Sequence, residues 1–422
     1  MAATTDVVAV LAKVRRRLIP FLFLLYIVSY LDRINVGFAA LQMNAALGLS
    51  ASAYGFGAGI FFLSYTLFEV PSNVILARIG ARLWIARIMV TWGVVSSAMM
   101  LASGPTSFYM LRFLLGMAEA GFFPGMIFYL TEWFPSRERA RTIAAFMTAT
   151  LVAGIVGGPV SGALLSMQGV GGLAGWQWLF LLEGLPAVVL GVVVLFYLTE
   201  RPEDATWLSD NERAALVATL RADAEARQVE SASVTGALAS GRIWTLAVVY
   251  FTIPVALYAF GFWLPQIIKA ETTGSNFRIG LMAAIPYLVG AVGMVGVARH
   301  SDRTGERRWH IVCAGLVGGA GFVVSAFVHS LALSLVALSV AMLGLASMFG
   351  PFWAFATSTL GGVGAATAIA LINSVGNTGG FAGPYVIGYL RDRTQSFTGG
   401  LIFVGAVLAL MPLLVMSLRD ER

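Results

Sequence analysis

The chain has 422 residues, 58% of them hydrophobic and 11% charged, with a formal net charge of +6. Soluble globular chains carry about 25% charged residues, so this composition excludes a water-soluble enzyme and indicates an integral membrane protein. The small positive charge follows from loop asymmetry and gives no reason to expect a nucleic-acid partner.

Apolar stretches of about 20 residues, enough to cross a hydrocarbon core of ~30 Å as helix, recur along nearly the whole chain. They predict twelve spans near residues 18–42, 53–77, 83–103, 106–130, 141–166, 176–199, 243–269, 279–299, 309–329, 331–358, 366–390 and 398–418. A basic tail of Lys13, Arg15, Arg16 and Arg17 precedes the first stretch, in the manner of a secretory leader. That stretch is too long for a leader, contains Asp32 and Arg33, and lacks a small-residue cleavage site, so it is read as a span. Glu200 to Arg242 is the one long polar stretch. Within it Ser209 and Glu212 form a capping-box pattern ahead of Ala214, Leu216, Val217 and Leu220, which predicts a short surface helix. The expected organisation is a six-helix bundle over 1–200, a cytoplasmic linker over 201–241 and a second six-helix bundle over 242–422.

Lys and Arg positions orient the spans. With the N-terminus inside, all of the 27 basic residues face the cytoplasm except intramembrane Arg33 and Arg112 and, on the outer side, Lys269, Arg278, Arg391 and Arg393. Both termini are therefore expected in the cytoplasm. Compact loops and the lack of organelle targeting point to a bacterial inner membrane. The single Cys313 has no internal disulfide partner, and His300, His310 and His329 lack metal-ligand spacing, so neither a metal nor a cofactor is expected.

The two halves of the chain correspond. Arg78, Gly80, Arg82 and Trp84 match Arg303, Gly305, Arg307 and Trp309 at an offset of 225 residues, and Gly154, Gly158 and Pro159 match Gly379, Gly383 and Pro384 at the same offset. An even number of spans per half gives both repeats the same topology, with a substrate site expected between them near the midplane.

Several of these motifs carry a family resemblance. Asp302-Arg303-Thr304-Gly305-Glu306-Arg307-Arg308 resembles the inter-helix loop signature of the major facilitator superfamily, and Arg112, Gly116 and Glu119 resemble its fourth-helix signature. More narrowly, the runs Tyr30 to Asn35, Glu69 to Asn73 and Asn377 to Phe381 with Gly383-Pro384-Tyr385 are similar to the anion:cation symporter family. The resemblance implies an all-α membrane protein of twelve transmembrane helices in two six-helix pseudo-repeats, the major facilitator fold. It also implies a monomer in the lipid bilayer that carries a small organic anion with protons, the anion being tartrate, phthalate, hydroxyphenylacetate or a sugar acid.

Four charges stand inside predicted spans, where each costs roughly 2.5–3.5 kcal/mol on insertion scales. Arg112 and Glu119 are seven residues apart, so they lie nearly on one helix face and ~10.5 Å apart along the axis. Counting ~1.5 Å per residue puts Asp32, Arg33 and Arg112 at one depth and Glu119 nearer the cytoplasm. Two acids and two bases allow a closely paired neutral cluster. Protonating the acids would free the arginines for a carboxylate, which coordinates anion and proton binding. A static ion-pair network that only fixes helix packing is the competing reading, and buried pairs contribute little net stability to recommend it.

Carried over by resemblance, Asp32 and Glu119 bear protons, while Arg33, Arg112 and Tyr65 contact the substrate. Tyr30 and Asn35 flank the acid on the first helix. In the second half, where the positions matching Arg112 and Glu119 are Ala337 and Gly344, the candidates are Tyr258, Trp263 and Gln266, then Trp353 and Thr357, then Asn373 and Asn377. Glu69 is expected to pair with a loop arginine, and Glu183 to satisfy backbone groups freed near Gly184 and Pro186. Arg78, Arg82, Asp302, Arg303 and Arg307 are read as gating contacts on the cytoplasmic side. A proton-coupled antiporter or exporter of the same fold is the alternative, favoured by Gly154, Gly158 and Pro159. Nothing in the chain suggests a signalling domain, or a nucleophile with its base.

Overall fold

A computed structural model describes residues 6–225, 239–359 and 365–418. The described residues fold into twelve spans. Span 1 is Val7–Leu47, span 2 Ala51–Ile79, span 3 Ala81–Ala98, span 6 Gly175–Tyr197, span 7 Gly241–Ala270, span 8 Asn276–Thr304, span 9 Arg308–Ser325 and span 12 Thr398–Ser417. The other four are each broken once: span 4 is Pro105–Glu119 with Phe122–Trp133, span 5 Ser136–Met147 with Ala149–Leu165, span 10 Leu331–Ser347 with Phe349–Thr359, and span 11 Ala365–Asn377 with Gly379–Thr394. The broken spans are thus two repeat-related pairs. Large apolar side chains such as Leu67, Val70, Phe196, Val292 and Leu413 remain exposed, and they form the lipid-facing surface.

Span 1 begins eleven residues earlier than its apolar run suggests, because the basic tail continues the helix. Asp6 caps it by accepting from the Val8 amide at 2.9 Å. Its charges are taken up locally: Lys13 pairs with Glu212 at 2.8 Å, Arg15 pairs with Glu138, and Arg17 lies over the rings of Tyr197 and Trp207. Glu212 belongs to the linker helix Asp210–Glu225, which starts with the expected capping box. The Ser209 amide donates to Glu212 at 2.8 Å and the Glu212 amide to the Ser209 hydroxyl at 3.3 Å. The end of the molecule that carries this helix is called the linker face, and the opposite end the far face.

The six spans before the linker meet the six after it along three seams, span 2 with span 11, span 5 with span 8, and span 1 with span 7. All three depend on absent side chains. A Cβ on Gly37 would lie 2.7 Å from the Gly261 carbonyl oxygen and 3.1 Å from the Phe262 Cα. Gly158 and Gly280 approach so closely that each backbone occupies the space of the other's missing Cβ. Of their repeat mates, Gly55 does the same against Pro384 of span 11, while Gly383 packs on Val255 of span 7 within the second half. At the far face Asp392, at the end of span 11, accepts from the Ala51 amide at 2.9 Å, the Ser52 amide at 2.8 Å and the Ser52 hydroxyl. Among the described residues no comparable packing joins span 4 to span 10 at the linker face.

A methyl group added at Gly280 overpacks the seam with Gly158, whereas Gly104 has open space around its Cβ position. Gly280→Ala is expected to lower stability by about 1–3 kcal/mol and Gly104→Ala to leave it nearly unchanged, as read from thermal unfolding of the two proteins in detergent.

Candidate functional site

Adjacent residues on a helix point about 100° apart, and this separates Asp32 from Arg33. Arg33 faces the axis between the halves. Its Nη2 pairs with Glu119 Oε1, which also accepts from the Ser29 hydroxyl at 2.9 Å. Its Nη1 donates to the Tyr258 hydroxyl at 3.2 Å, and Tyr258 is 225 residues on, the repeat mate of Arg33 itself. The guanidinium lies over the rings of Phe61 and Tyr65, 5.3 and 5.4 Å from their centroids. Its side chain is 10% exposed while that of Glu119 is 0% exposed, so the arginine is the member of the pair that a ligand can reach.

Asp32 turns instead to span 3. Its carboxylate accepts from the Trp92 ring N–H at 2.9 Å, from the Asn35 amide at 3.2 Å and from the Ser96 hydroxyl. Arg112 turns to span 2, donating to the Ala58 carbonyl at 3.0 Å and to the Gly57 carbonyl at 3.4 Å, with Phe61 against its plane at 5.0 Å. Its Nη1 is buried without a partner. The neutral four-charge cluster expected from the sequence is therefore corrected: of the four charges, Arg33 and Glu119 form an ion pair, while Asp32 and Arg112 are held by neutral groups. Depth counted along each helix could place all four residues but not aim their side chains.

Glu119 ends the first segment of span 4. The turn through Ala120 and Gly121, the latter at φ +87°, frees the Ala120 carbonyl. Ser72 donates to that carbonyl at 2.6 Å and accepts from the Trp84 ring at 3.0 Å, which gives the Glu69-Val70-Pro71-Ser72-Asn73 run a structural task. Gly116, one turn before Glu119, lets span 4 lie against Phe61 and Ser64 of span 2.

Two acids left aside in the sequence reading require correction. Glu69, 4% exposed, meets no loop arginine among the described residues; it accepts from Asn373 at 3.4 Å and Ser374 at 3.5 Å, across the gap between the halves. Its position one helical turn from Tyr65 was the signal available in the sequence. Glu183 accepts from the Ser161 hydroxyl at 2.7 Å, and span 6 passes through Pro186 as one continuous helix, so no broken backbone calls on it.

The second-half candidates divide by position. Tyr258 is at the Arg33 pair. Asn373 reaches Glu69, Asn377 is half-buried one turn along the same helix, Trp353 packs on Tyr250 and Phe352, and Thr357 is exposed. Trp263 and Gln266 lie elsewhere. The Trp263 ring donates to the Pro384 carbonyl at 3.2 Å and meets Tyr54 edge-on, and Gln266 accepts from Arg391 at 2.8 Å. Both belong to the far-face seal; Gln266 lines a cavity of about 440 Å³ there with Asn44, Lys269, Arg391 and Asp392. Tyr30 is buried with Ile34 and Ala153 beside span 5, and Asn35 adjoins Asp32. The loop residues form contacts within their own halves: Glu200 accepts from the Ala81 and Arg82 amides at 2.6 and 3.1 Å, and Asp302 pairs with Arg307 at 2.6 Å. Arg78 and Arg303 are exposed.

The chain matches the family model of the Major Facilitator Superfamily over residues 22–384. It is 52% identical over 416 residues to a "Putative tartrate transporter" of Agrobacterium vitis, covering 98% of this chain and 92% of that one. It is 42% identical over 400 residues to a "Quinolone resistance transporter" of Acinetobacter baumannii, covering 94% and 92%. In fold it matches a crystal structure of a bacterial homolog of the human lysosomal transporter Spinster in an inward-facing, occupied conformation, with a TM-score of 0.78, 15% identity, and 95% and 96% of the two chains covered.

The break beside Glu119 depends on one hydroxyl. Ser72→Ala leaves the Ala120 carbonyl and the Trp84 N–H without partners, and is expected to cost about 1–3 kcal/mol, measured as a lower midpoint of thermal unfolding in detergent.

Proposed function

The chain belongs to the major facilitator superfamily, and we propose that it is a proton-coupled symporter importing a small organic anion by alternating access. It is a membrane transporter and not an enzyme. The observation that carries the reading is the buried Arg33–Glu119 pair, closed on one side by Tyr258 from the other half of the molecule.

The coupling follows from electrostatics. While Glu119 is ionised it occupies one edge of the Arg33 guanidinium. A proton on Glu119 removes that competitor and leaves Arg33 two N–H groups for a carboxylate, the planar geometry in which arginine binds anions best. Loss of the anion restores the pair and expels the proton. Asp32, held by three neutral donors, is the second proton carrier, and Arg112, with Nη1 unpartnered, is a second contact for a dicarboxylate. Tyr65 and Phe61 wall the arginine, and the polar, selective side is assigned to spans 10 and 11, with Asn373, which reaches Glu69, and with Asn377, Trp353 and Thr357.

The charge asymmetry of the loops sets the linker face in the cytoplasm of a bacterial inner membrane. The close-packed far face is then outside. The name of the Agrobacterium relative supports a hydroxycarboxylate cargo. That of the Acinetobacter relative supports the rival, an exporter of drugs; two buried arginines in the first half favour the anion.

Transport decides between them. Purified protein in vesicles should accumulate labelled tartrate or phthalate when the outside is made acid, and no accumulation should appear when the gradient is collapsed. Uptake indifferent to the gradient, or proton-driven movement of a fluoroquinolone in its place, overturns the symport reading. Glu119→Gln, which mimics the protonated acid, is expected to keep carboxylate exchange while losing most gradient-driven accumulation. Full accumulation by that variant removes Glu119 from the proton path.

A further inference from the structure

We propose that the far-face cavity between spans 1, 2, 7 and 11 is a binding site for a hydroxydicarboxylate, where Arg391 and Lys269 hold the cargo before the halves part. The inference rests on the anion-import reading and the orientation given with it, and it adds an outer station to that route.

The cavity has the size and the charge for such a guest. Its volume of about 440 Å³ falls within the roughly 300–1,000 Å³ usual for small-molecule sites. Its polar wall is Asn44 from span 1, Gln266 and Lys269 from span 7, and Arg391, Asp392 and Gln395 at the end of span 11. Asp392 is the one acid in that wall among the described residues, and it is already engaged by the Ala51 and Ser52 amides and the Ser52 hydroxyl. Glu271, two residues beyond Lys269, is not part of the wall. Two cations therefore line the cavity without an uncommitted acid to answer them.

Arg391 is held ready to receive a carboxylate. Its guanidinium lies against the rings of Phe397 and Trp263, 4.3 and 5.6 Å from their centroids, and this contact restrains its plane. Its Nη1 donates to the Gln266 oxygen at 2.8 Å, and that neutral amide is the side chain's one hydrogen-bond partner among the described residues. The rest of the planar fork is left for an anion. Lys269 is exposed, and its ammonium makes a single long contact, with the Gly274 carbonyl at 3.5 Å.

The amides in the wall add a preference for hydroxyl groups. Gln266 is 8% exposed, and its Nε2 is a buried donor without a hydrogen-bond partner; Asn44 Oδ1 is a buried acceptor without one. A hydroxyl both donates and accepts, so an acid that carries hydroxyls can use both atoms, where an apolar guest uses neither. The site also adjoins the contact that closes the far face. Asp392, next to Arg391 in the chain, ties span 11 to the start of span 2. An anion on Arg391 sets a like charge beside that carboxylate and weakens its hold, which links the arrival of cargo to the opening of the seam.

The chain has two lysines, Lys13 at the linker face and Lys269 at the far face, and their acylation is a direct probe. Purified wild-type protein in detergent is treated with an N-hydroxysuccinimide ester, and both lysines are followed by peptide mass spectrometry. Tartrate is expected to slow acylation of Lys269 several-fold and to leave Lys13 unchanged, and the protection is expected to disappear in Arg391→Gln. No protection, protection that persists in Arg391→Gln, or an equal effect of sodium chloride at the same ionic strength overturns the site. In right-side-out vesicles Lys269→Gln, a change at an exposed position, is expected to raise the tartrate concentration for half-maximal uptake about tenfold; an unchanged value counts equally against it. Should Arg391→Gln not fold, the wild-type acylation and Lys269→Gln decide. The import reading fails separately: protection of Lys269 with no carboxylate accumulation overturns import and keeps the site, whereas accumulation with Lys269 unprotected overturns the site alone.

Discussion

The structure is organised around a guanidinium that the membrane interior cannot leave unpaired. Arg33 is buried among Phe61, Tyr65, Glu119 and Tyr258, with one tenth of its side chain open. In a medium where an uncompensated charge costs several kcal/mol, each of its neighbours is a constraint on the fold. Glu119 must sit at the end of a helix segment, so span 4 breaks there. Ser72 must then satisfy the freed Ala120 carbonyl, and Gly116 must be small for span 4 to approach span 2. A short sequence of local requirements thus builds one ion pair, and its arginine stays partly open.

Symmetry explains why the pair spans the two halves. Arg33 and Tyr258 occupy equivalent positions in the two repeats, and equivalent positions near a pseudo-twofold axis can touch each other. Gly37 and Phe262, equally related, also meet. The duplication therefore supplied the contact geometry, and later divergence supplied the chemistry: a cation on one side of the axis and a phenol on the other. The seams flanking the axis carry glycines at Gly158, Gly280 and Gly55, because a backbone-to-backbone approach leaves no room for even a methyl group.

Buried polar groups away from Arg33 follow a different rule. Asp32, Arg112, Glu69 and Glu183 all find hydroxyl, amide, indole or backbone partners in place of opposite charges. Neutral partners restrain a group without fixing its protonation state as firmly as a salt bridge does. A protein that must accept and release protons gains from that arrangement, and a protein that needed only a rigid core would have done better with apolar side chains.

What the sequence determined by itself was whatever depends on composition and period. Runs of about 20 apolar residues gave twelve spans, the 225-residue offset gave two like repeats, and charges inside apolar runs marked Asp32, Arg33, Arg112 and Glu119, all of which are buried together in the first half. The capping box at Ser209 and Glu212 was legible for the same reason, since its partners are three residues apart. Partner choice across helices was not. Only the tertiary structure gave Glu119 to Arg33, turned Asp32 toward Trp92 and Arg112 toward the span 2 carbonyls, brought Glu69 to Asn373, and set Trp263 against Pro384 and Gln266 against Arg391. The reason is geometric: spacing along one helix fixes a residue's height and face, but a side-chain contact depends on the rotation and tilt of a second helix, which packing of the whole bundle decides.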